Sequence, residues 1–330
     1  MFKLVVLMVT LMCYQEAHSL ELDKVLNEIA ALENYYPNKP VRLGISANYI
    51  EKGTSFHYRG NEKFLMASTV KVPIAIYTLK QIEENNLSLD ESLKVAPEDL
   101  VPWSKLGYFT THNPVHVSIA DLIESMIAVS DNTATDIILK RIGGIKTVKN
   151  YFSNYEGISI DRSILEIFQT YYGASSNLTG MESRKAYLIK SDIEKDRLAK
   201  KFYNDMRDHV TPVTMTNILS DLVNGKFLSP DQTNFLLTVM EHTINHDRLL
   251  RTFGAGNVKL SHKTGTFDHE SKNYPIMKLS DIGIFTLPNN EHLVMSIYAE
   301  STSDLKESEV SLLVGFAARV IYDNLYLNTK

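Results

Sequence analysis

The spacing of apolar residues changes near the start of the chain. Between residues 22 and 32, apolar side chains recur at intervals of three and four, which is typical of one face of a helix. Residues 41–49 and 55–58 then have the pattern of two short strands, with Gly53 near the turn between them. We therefore predict a helix followed by a β-hairpin.

The middle of the chain is predicted to be mainly helical, and its end to return to strands. Ser118 followed by Asp121 is the signature of a helix N-terminus, and Gly143-Gly144 is typical of a helix end. The other predicted elements are helical structure over 68–139, a loop at 171–177, helices at 193–206 and 211–222, strands at 258–260, 282–287 and 293–299, and a last helix at 308–326. Strands near both ends favour the α/β class in its α+β form: an antiparallel sheet from both chain ends flanked by helices, plus an all-α part.

Residues 1–19 have the features of a secretory signal peptide. Lys3 supplies a positive start, residues 4–12 are almost entirely apolar, and Ala17 and Ser19 are small residues where a signal peptidase cuts. We predict cleavage after Ser19 and secretion into a bacterial periplasm. A membrane anchor is the alternative, but the apolar run is about half of the roughly 20 residues that span a bilayer.

Composition narrows the classes of function. The formal net charge is −5 and no long basic run occurs, so nucleic acid is not an expected partner. The one cysteine, Cys13, lies in the predicted signal, which leaves the mature chain without disulfides or a thiol nucleophile. Pairs of histidines such as His242 and His246 have a spacing that could place both on one helix face, but no third metal ligand is indicated. We predict no metal, no cofactor and no stable membrane anchor.

Ser68-Thr69-Val70-Lys71 places a serine three residues before a lysine. On a helix this spacing puts Lys71 beside Ser68, where a neutral amine can activate the hydroxyl as a nucleophile. A second copy, Ser303 to Lys306, shows that the spacing alone is weak evidence, and we expect that copy in a solvated turn. Ser68 differs because apolar residues flank it on both sides and can desolvate Lys71.

Ser130-Asp131-Asn132 separates two apolar helical runs. In one interpretation Ser130 relays a proton to a leaving nitrogen and the Asn132 amide binds a substrate carbonyl. In the other interpretation the segment is an interhelical loop in which Ser130 caps the next helix. The residues alone leave both interpretations open.

Lys263-Thr264-Gly265-Thr266 lies where a strand is predicted. Gly265 leaves room for a ligand to approach the backbone, and Lys263 and Thr264 can hold a carboxylate. The Thr266 amide can stabilise an oxyanion. The alternative is an exposed turn.

These three motifs follow one another at separations of about 60 and about 130 residues, and the trio is the signature of class A β-lactamases and penicillin-binding proteins. Over roughly residues 22–325 the chain resembles a class A β-lactamase, nearest to the extended-spectrum subgroup with long active-site loops. The resemblance is also carried by residues 129–134, 143–144, 211–215, 262–266 and 280–283. It implies one catalytic domain at 20–330, with an α/β part at about 20–62 and 213–330 and an all-α part at about 63–212.

The resemblance implies catalytic roles. Ser68 would be acylated by the β-lactam carbonyl, with Lys71 as base or proton carrier. Ser130 would protonate the departing lactam nitrogen. The backbone amides of Ser68 and Thr266 would form the oxyanion hole.

The resemblance also implies a substrate-binding set. Asn132 would bind the acylamide side chain, and Lys263 and Thr264 the substrate carboxylate. Trp103 falls where the family often has an aromatic at the cleft mouth, and a packed core tryptophan is the alternative. Arg248 resembles an arginine that long-loop relatives use near the carboxylate, with a helix-surface arginine as the alternative.

One element of the class A pattern is displaced. In the family, an Arg-x-Glu motif begins the Ω loop, whereas in this chain Arg162 is followed two residues later by Ile164. We predict that the nearest carboxylate, Glu166, activates the deacylating water, with a surface residue as the alternative. Arg162 and Asp208 are predicted to form the ion pair that closes this loop, around an unusually long insertion.

The predicted function is hydrolysis of penicillins and cephalosporins through a serine acyl-enzyme, which confers antibiotic resistance, in a monomer with a small-molecule β-lactam as its partner. A D,D-peptidase or slowly deacylating penicillin-binding enzyme is one alternative, because Glu166 is displaced. A non-catalytic β-lactam or peptidoglycan sensor is another.

Overall fold

The computed structural model describes residues 23–110, 112–253 and 258–327. The predicted signal peptide, including Cys13 and the cleavage after Ser19, lies outside the described residues. None of the helices in these ranges combines the length and the apolar character that crossing a membrane requires.

Strands lie mainly near both ends of the described chain, and helices make up most of its middle. The strands are β1 (Arg42–Tyr49), β2 (Thr54–Tyr58), β3 (Phe64–Leu65), β4 (Ser92–Val95), β5 (Val115–Ser118), β6 (His209–Val210), β7 (Lys259–His269), β8 (Ile276–Thr286) and β9 (His292–Ser301). The helices are α1 (23–33), α2 (Lys71–Glu83), α3 (Gly107–Thr110), α4 (Ile119–Ala128), α5 (Asn132–Arg141), α6 (Ile145–Tyr151), α7 (Ile164–Tyr172), α8 (Gly180–Leu188), α9 (Asp192–Tyr203), α10 (Pro212–Val223), α11 (Pro230–Glu241) and α12 (Glu307–Leu325), with 3₁₀ turns at Ala67–Val70 and Pro97–Asp99.

The main sheet joins the two ends of the chain. Its strand order is β2-β1-β9-β8-β7, and every neighbouring pair is antiparallel. Ile45 of β1 lies opposite Ile297 of β9, so the predicted sheet built from both chain ends is confirmed. Strand β7 forms one edge of this sheet, with Lys263 opposite Ile282. The motif predicted to bind substrate therefore runs along an edge strand that has one side free of strand pairing.

Helices cover both faces of the sheet. Because side chains alternate along a strand, Val294 and Tyr298 of β9 pack into the apolar cluster that includes α2, α4 and α10. Met295 and Ile297 point the other way and pack into the cluster that includes α1 and α12. Coverage of both faces explains why β8 is buried along nearly its whole length.

Side-chain caps begin several of the helices at the predicted residues. Ser118 Oγ accepts a hydrogen bond from the Asp121 amide at 3.1 Å at the start of α4. Thr211 Oγ1 accepts one from the Thr214 amide, also at 3.1 Å, at the start of α10. These bonds satisfy backbone donors that have no partner within the helix, so the predicted starts of both helices are confirmed.

Two stretches differ from the prediction. Strands β4 and β5 form a separate two-stranded sheet within the region predicted as helical. Helix α7 covers residues for which no helix was predicted, and it ends at Gly173, whose φ of 60° is the left-handed conformation that terminates a helix. The loop predicted at 171–177 therefore begins at Gly173, two residues later than predicted.

The long insertion folds into α8 and α9 and is anchored on β7. The Tyr171 hydroxyl lies 3.1 Å from the Tyr187 hydroxyl and 3.0 Å from His269 Nδ1. His269 Nε2 in turn lies 2.8 Å from Asp196 Oδ1. This chain of hydrogen bonds joins α7, α8 and α9 to the strand that carries Lys263.

Candidate active site

Ser68 lies in the 3₁₀ turn that precedes α2. The residue before it, Ala67, has a φ of 46°, a left-handed conformation that costs a non-glycine residue about 1–2 kcal/mol. Thr69 Oγ1 donates to the carbonyl of Met66 at 2.8 Å and helps to hold this turn. Such a strained turn presents the Ser68 side chain, which is half-buried, at the start of the helix.

Lys71 is fully buried and points at the Ser130 segment. Its ammonium Nζ donates to the carbonyl oxygen of Ser130 at 2.7 Å, to Ser130 Oγ at 3.2 Å and to Asn132 Oδ1 at 2.7 Å. Burial lowers the pKa of Lys71 to about 7, although the negative charges of Asp131 and Asp136 oppose this shift. A lysine with this pKa is partly neutral at neutral pH and can accept a proton.

The Ser130 segment is fixed by Asp131. This carboxylate accepts hydrogen bonds from the amides of Ala134 at 2.8 Å and Leu106 at 2.9 Å, and from Ser104 Oγ at 2.9 Å. It is therefore Asp131 that caps α5, and the interpretation of Ser130 as the cap is wrong. Ser130 itself has a φ of 56°, so the turn before α5 is strained and its hydroxyl is left to face Lys71.

Asn132 links the two walls of this region. Its Oδ1 accepts from Lys71 at 2.7 Å, and its Nδ2 donates to the carbonyl of Pro102 at 2.7 Å. The next residue, Trp103, is 70% exposed and has a φ of 65°. The guanidinium of Arg184, from the insertion, lies 5.3 Å from the centre of its ring. The alternative of a packed core tryptophan is wrong.

Strand β7 lies directly against the Ser68 turn. A Cβ placed on Gly265 would lie 2.5 Å from Ser280 Oγ, 2.7 Å from the Met66 carbonyl oxygen and 3.2 Å from the Ser68 amide nitrogen. Lys263 is fully buried, and burial together with the charge of Lys71 holds its pKa well below the usual value. The alternative of an exposed turn is wrong, because these residues belong to a regular strand.

Arg248 is fully buried behind β7. Its Nη1 donates to the carbonyls of Gly265 at 2.6 Å and Ser280 at 2.7 Å. Its Nη2 donates to Thr266 Oγ1 at 2.5 Å and to Glu307 Oε1 at 2.8 Å. The guanidinium therefore reaches the edge of the site through Thr266. The alternative of a helix-surface arginine is wrong.

Two carboxylates, from Asp136 and Glu166, hold the start of α7. Ile164 and Leu165 donate their amides to the two carboxylate oxygens of Asp136, at 2.9 Å and 2.8 Å. Glu166 is exposed, and its Oε2 accepts the amide of Ser163 at 2.7 Å. Ser163 and Glu166 thus form a capping box, and Asp136 adds a carboxylate at the same helix end.

The predicted Ω-loop ion pair is present and buried. Arg162 Nε donates to Asp208 Oδ2 at 2.6 Å, and the two side chains are 5% and 2% exposed. Asp208 Oδ1 also accepts the amides of Asp161 and Arg162, at 2.8 Å and 3.1 Å. The prediction that Arg162 and Asp208 pair is confirmed.

Comparisons with known proteins identify the family. A sequence model described as "Beta-lactamase enzyme family" matches residues 22–325. The chain belongs to this family. The β-lactamase VEB-1 of Pseudomonas aeruginosa is 26% identical over 304 residues, which cover 90% of this chain and 89% of that protein. The β-lactamase BRO-1 of Moraxella catarrhalis is 28% identical over 287 residues, which cover 86% and 78%.

Solved structures give the same result for the fold. The crystal structure of the TLA-3 extended-spectrum β-lactamase is similar with a TM-score of 0.74 at 25% identity, over 92% of this chain and 98% of that chain. An ancestral class A β-lactamase gives 0.71 at 23% identity, over 91% and 99%. The predicted class A resemblance and the predicted fold class are confirmed.

In this β-lactamase the three predicted motifs meet around Ser68. Lys71 contacts Ser130 and Asn132, and Gly265 lies against the Ser68 turn. Glu166 has no such contact with these motifs among the hydrogen bonds of the described residues, and its role stays a prediction.

Two acidic residues around the site were missed by sequence reasoning. Asp136 holds the start of α7, and Glu307 holds Arg248. Asp281, from the segment 280–283 that carried part of the resemblance, accepts the Leu249 amide at 3.0 Å and lies 2.9 Å from His262 Nδ1. Only Asp136 had a detectable signal, since it follows Asn132 by four residues and so lies on the same face of α5.

Proposed function

We propose that this β-lactamase hydrolyses penicillins and cephalosporins through an acyl-enzyme on Ser68 and thereby confers resistance to them. The observation that carries the proposal is the convergence of Lys71, Ser130 and strand β7 on the turn that holds Ser68. Membership of the β-lactamase family and similarity to VEB-1 and TLA-3 support the same reaction.

In the proposed acylation step, neutral Lys71 takes the Ser68 hydroxyl proton, directly or through Ser130. Ser68 Oγ then attacks the β-lactam carbonyl carbon. The amides of Ser68 and Thr266 stabilise the oxyanion. As the carbon–nitrogen bond breaks, the nitrogen takes a proton from the Ser130 hydroxyl. The Lys71 ammonium then returns a proton to Ser130. The Lys71–Ser130 distance of 3.2 Å supports this relay.

The substrate is proposed to lie along β7. Lys263 and Thr264 would hold its carboxylate, whose charge would favour the protonated form of a buried lysine. The Asn132 amide would bind the acylamide group, and the exposed ring of Trp103 would cover the mouth of the cleft. Arg248 would act through Thr266, whose hydroxyl it contacts.

Deacylation needs a group that activates water, and Glu166 is the sequence-based candidate for this step. Glu166→Gln keeps the size of the side chain and its ability to accept the Ser163 amide. If Glu166 is the base, this variant will be acylated normally and will then hold the adduct.

Export and assembly are further parts of the proposal. The pattern of residues 1–19 supports a cleaved signal and a periplasmic location, so the mature protein would begin at Leu20. The catalytic domain would comprise 20–330, divided into an α/β part at about 20–62 and 213–330 and an all-α part at about 63–212. We propose a monomer. The intact mass of the exported protein tests the cleavage, and sedimentation tests the assembly.

The proposal is tested by incubating the mature protein with nitrocefin and with benzylpenicillin while recording turnover and intact mass. Turnover with a transient adduct on Ser68 is the expected result. A stable adduct without turnover would assign a penicillin-binding enzyme. Binding without any adduct, unchanged in Ser68→Ala, would assign a sensor.

Gly265→Ala is expected to slow acylation by about 100-fold or more, because the new methyl group would push β7 away from the Met66 carbonyl and the Ser68 amide. The rate of covalent labelling by penicillin measures this effect. Gly107→Ala is the matched control, since among the described residues its Cβ would meet Leu100 side-chain carbons at 3.8 and 3.9 Å and nothing nearer. Equal labelling rates in the two variants would contradict the proposed contact between β7 and the nucleophile.

A further inference from the structure

The long insertion lies directly against the segment that carries Trp103. A Cβ placed on Gly180, the first residue of α8, would lie 2.6 Å from the carbonyl oxygen of Leu100 and 3.0 Å from Pro102 Cδ. The first distance is a clash with the backbone, so it is the absence of a side chain at Gly180 that permits this close approach. The start of α8 is therefore docked on the residues that immediately precede Trp103.

The same segment is fixed to the start of α5, where substrate is proposed to bind. The Val101 amide donates to Thr133 Oγ1 at 2.9 Å, and the Pro102 carbonyl accepts from Asn132 Nδ2 at 2.7 Å. Trp103 thus follows a residue that is hydrogen-bonded to Asn132, the side chain proposed to hold the acylamide group. A substrate group that extends outward from that amide would meet the Trp103 ring next.

Helix α8 brings Arg184 to this exposed ring. Arg184 follows Gly180 by four residues and so lies on the same face of α8, which is the face docked against the Trp103 segment. Its guanidinium carbon Cζ lies 5.3 Å from the centre of the Trp103 ring. Burial raises the pKa of the Tyr172 hydroxyl to about 12, and both Arg184 and Trp103 oppose this rise, so both side chains lie near the end of α7 as well.

The charge of Arg184 is not neutralised by a partner in the part of the chain that the structure describes. Two other cations of the insertion, Lys190 and Lys195, pair with Glu194 and Asp192. The half-buried Arg184 has its contact with the Trp103 ring but takes part in none of the ion pairs or hydrogen bonds of the described residues. A guanidinium of this kind suits a carboxylate ligand, because its planar fork of donors can bind both oxygens at once.

Resting on the proposed function, we propose that Arg184 is a specificity-determining residue that binds a carboxylate on the acylamide side chain of a β-lactam. Asn132 would hold the amide, and the Trp103 ring would cover the side chain beyond it, next to the guanidinium. This carboxylate is distinct from the one proposed to bind Lys263 and Thr264. No bond is made or broken at this subsite, so Arg184 changes how well such substrates are bound and leaves those with an uncharged side chain unaffected.

Carbenicillin and benzylpenicillin are the matched substrates for the test, because carbenicillin has an additional carboxylate on the carbon next to the side-chain amide. Arg184→Gln should lower kcat/KM for carbenicillin by about fivefold or more and keep that for benzylpenicillin within about twofold of wild type. Arg184→Lys retains the charge and should recover part of the loss. In wild type, the ratio of the carbenicillin value to the benzylpenicillin value should also fall between about 20 mM and about 500 mM salt, and in Arg184→Gln it should not.

Arg197→Gln is the matched control, because Arg197 also belongs to the insertion, is exposed on α9, and its loss changes the net charge by the same amount. It should keep both values of kcat/KM within about twofold of wild type. An unchanged ratio of the two values in Arg184→Gln, or an equal fall of that ratio in Arg197→Gln, would overturn the proposal while benzylpenicillin is still hydrolysed. Failure of wild type to hydrolyse benzylpenicillin would instead overturn the proposed function.

Discussion

Replacing Ser68 with alanine is expected to lower β-lactam turnover by at least about a thousandfold, because no ester can form without its hydroxyl oxygen. Lys71, Ser130 and the β7 amides would remain in place, since Ser68 lies at a turn held by Thr69 and Met66. Substrate would therefore still bind, but no covalent adduct would appear. Initial rates with nitrocefin and the intact mass after penicillin treatment measure the two effects.

The chain offers a matched control for this variant. Ser303 also precedes a lysine by three residues, but Lys306 is exposed at the start of α12 and has no contact with Ser130 or β7 among the described hydrogen bonds. Ser303→Ala should keep wild-type turnover within about twofold. Ser68→Ala activity within about tenfold of wild type would contradict the assignment of Ser68 as nucleophile.

The difference between these two serines shows what the sequence could predict. The serine–lysine spacing is the same at both positions. The apolar residues that flank Ser68 distinguished it, because such residues indicate that the start of the helix is buried. The structure agrees, since Lys71 is fully buried and Lys306 is exposed. Helix starts at Ser118 and Thr211 were predictable for a related reason: a cap is a local interaction between residues three apart.

Contacts between distant segments were beyond prediction from the sequence. Asp136 binds amides that lie 28 and 29 residues further along the chain, and no local pattern encodes that pairing. The burial of Arg248 could not be predicted from its neighbours in the sequence. It depends on contacts with Gly265 on β7 and Glu307 on α12, which lie 17 and 59 residues further along the chain. Asp131 and Ser130 are both good caps by composition, so only the geometry of the turn decided between them.

The fold was predictable where the period of apolar residues was clear. The sheet from both chain ends followed from strands with apolar runs near 45 and 295. Strands β4 and β5 were missed because they are four residues long and mix polar with apolar side chains. Helix α7 was missed because Gly173 and the serines after it indicated a loop, although nine helical residues precede that glycine.

Asp208→Asn is expected to destabilise the protein by about 3–5 kcal/mol, because it leaves the buried Arg162 guanidinium without its closest counter-charge. Asparagine keeps the shape of the side chain, and it tolerates the left-handed φ of 57° at this position. The second carboxylate on Arg162, from Asp205, lies 3.1 Å from Nη1 and compensates only in part. Urea denaturation followed by tryptophan fluorescence and by far-ultraviolet circular dichroism measures the free energy of unfolding.

The matched control for this pair is an exposed one. Asp323 pairs with Arg319 on α12 at 2.8 Å, close to the 2.6 Å of the buried pair, but the two side chains are 38% and 43% exposed. Asp323→Asn should cost less than about 1 kcal/mol, because water solvates the charge that is left. The contrast between the two variants therefore isolates burial from geometry. A loss below about 1 kcal/mol in Asp208→Asn would mean that the start of α7 and its long insertion are held by Asp136 and the β7 contacts, and not by the buried ion pair.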